Sequence, residues 1–260
     1  MDIIVCLKRV PDTGVEIEIE EGGLETKEAG LPWVLNPYDE YAVEEAVRIK
    51  ERFAGRVTVI TAGSEGGEEV LKKAIAMGAD EAVYVTDAGL KGLDGRGIAM
   101  VLSRVISKMP FDLILCGKQG TDTDSGMVGG AVAGLLNIPL VSAIKSLKVF
   151  PDKNHAEAHR EVERGVEVIE CPLPALFTAQ KGLNEPRYPS LPGIMRAKKH
   201  EIRYLDLSSI GIKKEAFQSP FNREGLSHPA LKRKGIIFKG DLGDAVNQTV
   251  KFLKEEIKVL

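Results

Sequence analysis

A chain of 260 residues, 43% hydrophobic, can bury one large core or one core plus an appendage, and one domain with an arm is the expectation. Its formal net charge of -3 gives no global basic field, which argues against nucleic acid as a partner and leaves electrostatic recognition to local patches. Cys6, Cys116 and Cys171 are odd in number, far apart and without nearby histidines, which argues against a disulfide framework or a zinc cage.

The chain enters directly on an apolar run at residues 3–7, with no charged leader and cleavage site, and no run approaches the ~20 apolar residues of a membrane span. A reduced, cytoplasmic protein without a membrane span is the expectation, with Cys6 and Cys116 as small buried hydrophobes. Between Val10 and Gly30 the period becomes two: Val15, Ile17 and Ile19 alternate with Glu16, Glu18 and Glu20 before Gly22-Gly23, the pattern of a hairpin with one wet face. Up to about residue 145, short apolar runs alternate with stretches of helical period. The pattern predicts strands over 3–7, 56–61, 82–85 and 113–116 and helices over 39–53, 67–77, 97–108 and 125–136. The strands are nearly continuous in Val, Ile and Leu, so helices should cover both faces of a parallel sheet.

After Pro139 the helical rhythm is lost, and runs at 143–149, 155–162, 166–169 and 175–178 predict short strands, several antiparallel. From Leu183 to Lys199, Pro186, Pro189 and Pro192 fix φ and remove backbone donors, so a stiffened loop is expected rather than helix or strand. This loop carries Tyr188, Leu191, Ile194 and Met195, flanked by Arg187, Arg196, Lys198 and Lys199. Either the apolar groups tuck under the protein's own edge, or they form an anchor with a charged rim. Residues 205–234 are polar and punctuated by glycine and proline, which suggests an extended tether. Asp241 can cap a last helix over 242–260, whose Val246, Val250, Leu253 and Ile257 form one apolar stripe. The resulting organisation is an α/β domain over 1–204, a doubly wound and mostly parallel sheet with a small antiparallel extension, then a tether and helical arm over 205–260.

Chemistry concentrates at residues 117–126, Gly-Lys-Gln-Gly-Thr-Asp-Thr-Asp-Ser-Gly, which turn the strand at 113–116 into a helix. Ligands of doubly wound sheets sit at the carboxyl ends of strands, where helix N-termini offer free N–H groups to anions. Asp124 or Ser125 is a plausible N-cap. No Walker A motif and no G-x-G-x-x-G is present, and Asp122 and Asp124 would repel a polyphosphate, so a monophosphate suits this turn better. A tight turn that binds nothing fits the same residues. His155, His159, His200 and His228 lie in polar contexts, and there is no serine elbow, paired acid or H-E-x-x-H. Neither catalytic residues nor a metal site is expected.

The Asn-Glu-Pro-Arg-Tyr element at 184–188, the Leu-Pro and Ile-Met that follow it and the basic Ala-Lys-Lys run resemble the signature of the electron transfer flavoprotein β subunit. Residues 7–10, Leu35-Asn36-Pro37 leading into Ala42-Val43-Glu44-Glu45-Ala46, Ala76-Met77-Gly78-Ala79-Asp80 and Gly117-Lys118-Gln119 fall in the same family order. The resemblance implies an adenine nucleotide α-hydrolase-like, Rossmann-like fold. It also implies an electron carrier rather than an enzyme: a heterodimer whose α subunit holds FAD while this chain holds AMP and docks acyl-CoA dehydrogenases. Carried over by position, the AMP contacts are Cys6, Asn36, Ala62, Gly63, Gly117, Lys118, Gln119, Asp122, Thr123, Asp124, Ser125, Gly126, Met127 and Val128. Asn36 would read the adenine or ribose, or else serve the turn before the helix. The docking contacts are Tyr188, Leu191, Ile194, Met195, Arg196, Lys198 and Lys199, with Leu191 as the plug, and the last helix reaches the α subunit.

Gly120-Thr121-Asp122 departs from the family's usual Ala-Ile-Asp, and Ser125-Gly126-Met127-Val128 lacks its amide side chains. Two other readings remain open. An electron-bifurcating relative would bind a second FAD and oxidise NADH, but residues 91–97 keep Asp94 without the hydroxyls found there in such forms. An adenine-nucleotide sensor resembling universal stress proteins would share the sheet and turn without needing the proline segment or the last helix.

Overall fold

The computed structural model describes residues 1–212, 224–228 and 235–259. They fall into two units, 1–18 with 27–222 and 19–26 with 223–260. The first unit is built on a sheet of nine strands among the described residues. In chain order its elements are β1 (Asp2–Leu7), β2 (Arg9–Pro11), β3 (Trp33–Leu35), α1 (Pro37–Phe53), β4 (Arg56–Ala62), α2 (Gly67–Met77), β5 (Glu81–Val85), α3 (Gly95–Ile106), β6 (Leu113–Gly117) and α4 (Met127–Leu136). There follow β7 (Leu140–Phe150), β8 (His155–Val162), β9 (Gly165–Pro172), β10 (Ala175–Ala179), α5 (Leu191–Lys199) and β11 (Arg203–Leu205).

The sheet runs β11-β5-β4-β1-β6-β10-β7-β8-β9, parallel from β11 through β7 and antiparallel thereafter. Side chains alternate faces along a strand. Ile3, Val5 and Leu7 therefore meet α1 and α2 on one face, while Ile4 and Cys6 meet α3 and α4 on the other. The doubly wound, mostly parallel fold and its antiparallel extension are as expected. Asp80 ties the end of α2 to the sheet, accepting Val57 N–H at 2.8 Å and Lys50 Nζ at 2.9 Å.

Four expectations need correction. The hairpin at 10–30 is not a regular ladder: Val15, Ile17 and Ile19 are half-buried and their glutamates exposed, but a single bridge joins Ile19 to Thr26. The ladder forms instead between β2 and β3, which pair antiparallel from Arg9–Leu35 to Pro11–Trp33. Residues 183–199 are not all loop. α5 occupies the second half, because Pro192 stands in the first turn, where a missing N–H costs nothing, and Ser190 caps it by accepting Gly193 N–H at 3.1 Å. The tether does not begin at 205: β11 pairs with β5 through Leu205, and Leu207 and Ile210 are buried. α4 starts at Met127, with Gly126 at φ 60° as N-cap and no side-chain cap, so neither Asp124 nor Ser125 fills that role.

The second unit contains α6 (Leu242–Phe252), capped by Asp241, which accepts Asp244 N–H at 3.0 Å, and a π-helical turn at Leu253–Ile257. Val246, Val250 and Ile257 of the expected stripe are exposed. An open apolar cleft of about 450 Å³ lies between residues 236–238 and α6. The rest of the expected tether, 213–223 and 229–234, and Leu260 lie outside the described residues. No helix among the described residues is long and apolar enough to cross a membrane.

Candidate functional site

β4, β1 and β6 end side by side, with Cys6 paired in register to Ile60 on one neighbour and to Cys116 on the other. Their carboxyl ends bring together Cys6, Ala62–Gly63, Gly117–Gln119 and the start of α1 at Asn36–Asp39. This is where a doubly wound sheet opens a crevice. The element that joins them is Asp39, a residue sequence reasoning passed over. Its buried carboxylate accepts Lys8 N–H at 2.6 Å on Oδ2, and Gly117 N–H and Asn36 Nδ2–H, both at 2.9 Å, on Oδ1.

Burial pushes the Asp39 carboxyl from 3.8 up to about 7, opposed by the donors from Asn36, Lys8 and Gly117. An acid whose folded value lies above its unfolded one binds more protons in the native state. Stability should therefore fall as pH rises from about 4 to about 7 and level off above. In Asp39→Asn that slope disappears. An amide nitrogen facing a backbone N–H also lowers stability by about 1–3 kcal/mol. Urea midpoints from pH 4 to 8 check both, and a wild-type profile without a fall over that interval would contradict the assignment.

Asn36 does not stand out toward a ligand. It is 1% exposed, and its amide braces the 117–126 loop: Nδ2 donates to the Gln119 carbonyl at 3.0 Å, and Oδ1 accepts Thr121 N–H at 3.3 Å. The side-chain reader assigned there is thus a scaffold residue, and it makes no side-chain cap to α1 either. The two loop aspartates are also engaged. Asp122 pairs with Lys8 Nζ at 2.6 Å, and Asp124, in a left-handed conformation, accepts Gln119 Nε2–H at 2.6 Å. Lys118 Nζ lies 5.2 Å from the centre of the Tyr38 ring, and its backbone N–H donates to the Ala179 carbonyl at 2.9 Å.

What the arrangement offers a ligand is the first turn of α4, whose N–H groups have no side-chain cap. The Thr121 hydroxyl is buried without a hydrogen-bond partner in the same loop. Ser125, Gly126 and Met127 are exposed, and Gly129 packs its Cα against Cys116 and Thr178. An uncapped helix start, an orphan hydroxyl and a compensated acid pair fit a nucleotide monophosphate. The thiols do not invite chemistry. Burial, reinforced by the Asp39 charge, pushes Cys6 up to about 12, and burial followed by the Cys6 and Asp39 charges raises Cys116 well above its usual value.

The residues expected to dock a partner lie on a second surface. Tyr188 is 95% exposed and Leu191 79%, with Met195 and Ile194 exposed beside them, so the apolar groups do not tuck under the protein's edge. Arg196 is less available than expected, because its Nη2 donates to the Ile75 and Ala79 carbonyls at 2.6 and 3.0 Å, closing the end of α2. Lys198 and Lys199 are exposed.

A family profile described as the electron transfer flavoprotein domain matches residues 24–210. The chain is 40% identical over 261 residues to the electron transfer flavoprotein subunit beta of Bacillus subtilis (strain 168), covering all of both chains. It is 39% identical to the subunit of that name from Thermoanaerobacterium thermosaccharolyticum, over 97% of this chain and 98% of the relative. Protein FixA of Azotobacter vinelandii is 37% identical over 82% of this chain and 77% of its own.

Proposed function

The chain belongs to the electron transfer flavoprotein β-subunit family and serves electron transfer, and we propose that within this role it binds one AMP and docks the electron donor while an α subunit holds the FAD. The flavin supplies the redox chemistry. This chain's residues hold the AMP and dock the donor. The uncapped start of α4, with the loop braced by Asn36 and Asp39, seats the AMP phosphate. The exposed row along the second unit, Ile237, Leu242, Val246 and Ile257, suits burial against the α subunit. Tyr188, Leu191, Ile194 and Met195 enter an apolar pocket of an acyl-CoA dehydrogenase, with Lys198 and Lys199 steering an acidic rim. Buried, unpaired thiols suit the reducing cytoplasm.

The observation that carries this reading is the apolar cluster at 188–195, where Tyr188 and Leu191 are the most exposed large apolar side chains among the described residues of the first unit. Co-expression with the α subunit, followed by release and counting of cofactors, tests it. One FAD and one AMP per heterodimer are expected. Two FAD would replace the AMP assignment with a bifurcating one, and a colourless homodimer would replace the carrier with a nucleotide sensor.

A further inference from the structure

The docking segment hangs between two arginine ties. On one side lies Glu44 of α1, whose side chain is only 2% exposed. Arg187 donates to it from Nε at 2.8 Å, from Nη2 at 3.2 Å and from its own backbone N–H at 3.1 Å. The outer edge of the same guanidinium forks onto Glu51, Nη1 at 2.6 Å and Nη2 at 3.0 Å. Arg48 completes the cluster, giving Nε to Glu44 at 2.6 Å and Nη2 to the Glu185 carbonyl at 3.1 Å. Nearby, Asn184 donates to Glu45 at 2.9 Å and to the Tyr41 carbonyl at 3.0 Å. On the other side, beside the Arg196 tie to α2, Gly193 lies so close to the Ala76 carbonyl that a Cβ there would fall under 3.0 Å from it.

Burial alone would raise the Glu44 carboxyl, yet the bonds from Arg187 and Arg48 together hold it below its usual range, so the pair is ionised. A planar guanidinium matched to two carboxylates fixes orientation in a way a lysine ammonium cannot. Tyr188, immediately after Arg187, is almost wholly in solvent, so the backbone on either side must set where it and Leu191 point.

We propose that Arg187 is a positioning residue, whose ties to Glu44 and Glu51 preset the docking face of Tyr188 and Leu191 before the electron donor arrives. The inference rests on the docking role given to this segment above. A preset face loses little conformational freedom on binding. Loosening it therefore weakens capture of the donor and leaves electron passage inside the formed complex unchanged.

The test uses the intact heterodimer carrying Arg187→Met, with Leu191→Ala in parallel and butyryl-CoA dehydrogenase, reduced by butyryl-CoA, as the donor. KM for the dehydrogenase should rise about tenfold with kcat held, and amide exchange over residues 190–197 should quicken about tenfold while the sheet is unaffected. A merely structural role would lower the unfolding midpoint without this split. Because Arg187→Met leaves a buried carboxylate with one partner fewer, the double variant Glu44→Gln with Arg187→Met, which removes that buried charge and leaves only the solvent-exposed Arg48 and Glu51 with one partner fewer, is measured beside it and should behave alike. Arg187→Lys should not rescue, and full rescue would overturn the proposal. Unchanged exchange in the double variant overturns it whatever the kinetics show. Faster exchange with unchanged KM also overturns it when Leu191→Ala does impair transfer. If Leu191→Ala transfers normally, the docking role itself has failed, and the exchange result alone supports or overturns the clamp.

Discussion

Leu191→Ala should cut kcat/KM for electron transfer from the dehydrogenase by at least ~30-fold, the loss that ~2 kcal/mol or more of anchor energy represents. The side chain stands at the first position of α5 with most of its surface in solvent, so truncation opens no cavity and removes no buried contact. The urea midpoint should be that of the wild type, and chemical reduction of the flavin by dithionite should be unimpaired. Anchors of this kind act by filling a pocket on the partner, and a methyl cannot reach where an isobutyl group does. Wild-type kcat/KM in the variant would overturn the docking role given to this segment.

The parallel core was legible because each central strand is a continuous apolar run and each helix carries its own stop signal, as at Gly78 after α2. Strand order was not. β10 inserts between β6 and β7, so that β7, β8 and β9 swing out as a meander and the chain returns past them, an arrangement decided by packing across the sheet. Pro192 was misread because a proline list treats every position as helix interior, whereas this one lies in the first turn. The crevice at the carboxyl ends of β4, β1 and β6 was readable from the strand-glycine-helix pattern. The roles inside it were not, since Asn36 meets Gln119 and Asp39 meets Gly117 across 83 and 78 residues. One signal was available: Asp39 sits just inside α1 after Asn36-Pro37, with buried Ala42 and Val43 one turn on, and an acid placed there needs donors.

The second large effect is expected at Gly117, where β6 passes the start of α1. A Cβ added there would fall under 3.0 Å from Asp39 Oδ1, Tyr38 Cβ and the Tyr38 carbonyl carbon. None of these atoms can give way cheaply. Asp39 is held by three donors, and the Tyr38 atoms belong to the first turn of a helix packed on the sheet. Overpacking of this kind costs about 1–3 kcal/mol and occasionally more. At about 2–4 °C per kcal/mol for a chain of this size, Gly117→Ala should melt roughly 2–12 °C lower. The same displacement turns the 117–126 loop away from α4, so the purified heterodimer should release much less AMP on denaturation. Gly22→Ala is the matched control: nothing lies within 4 Å of a Cβ there, and its midpoint should stay at the wild-type value. A Gly117→Ala protein with the wild-type midpoint and full AMP content would mean that α1 and β6 can separate at no cost, and that the Asp39 junction does not hold the crevice in shape.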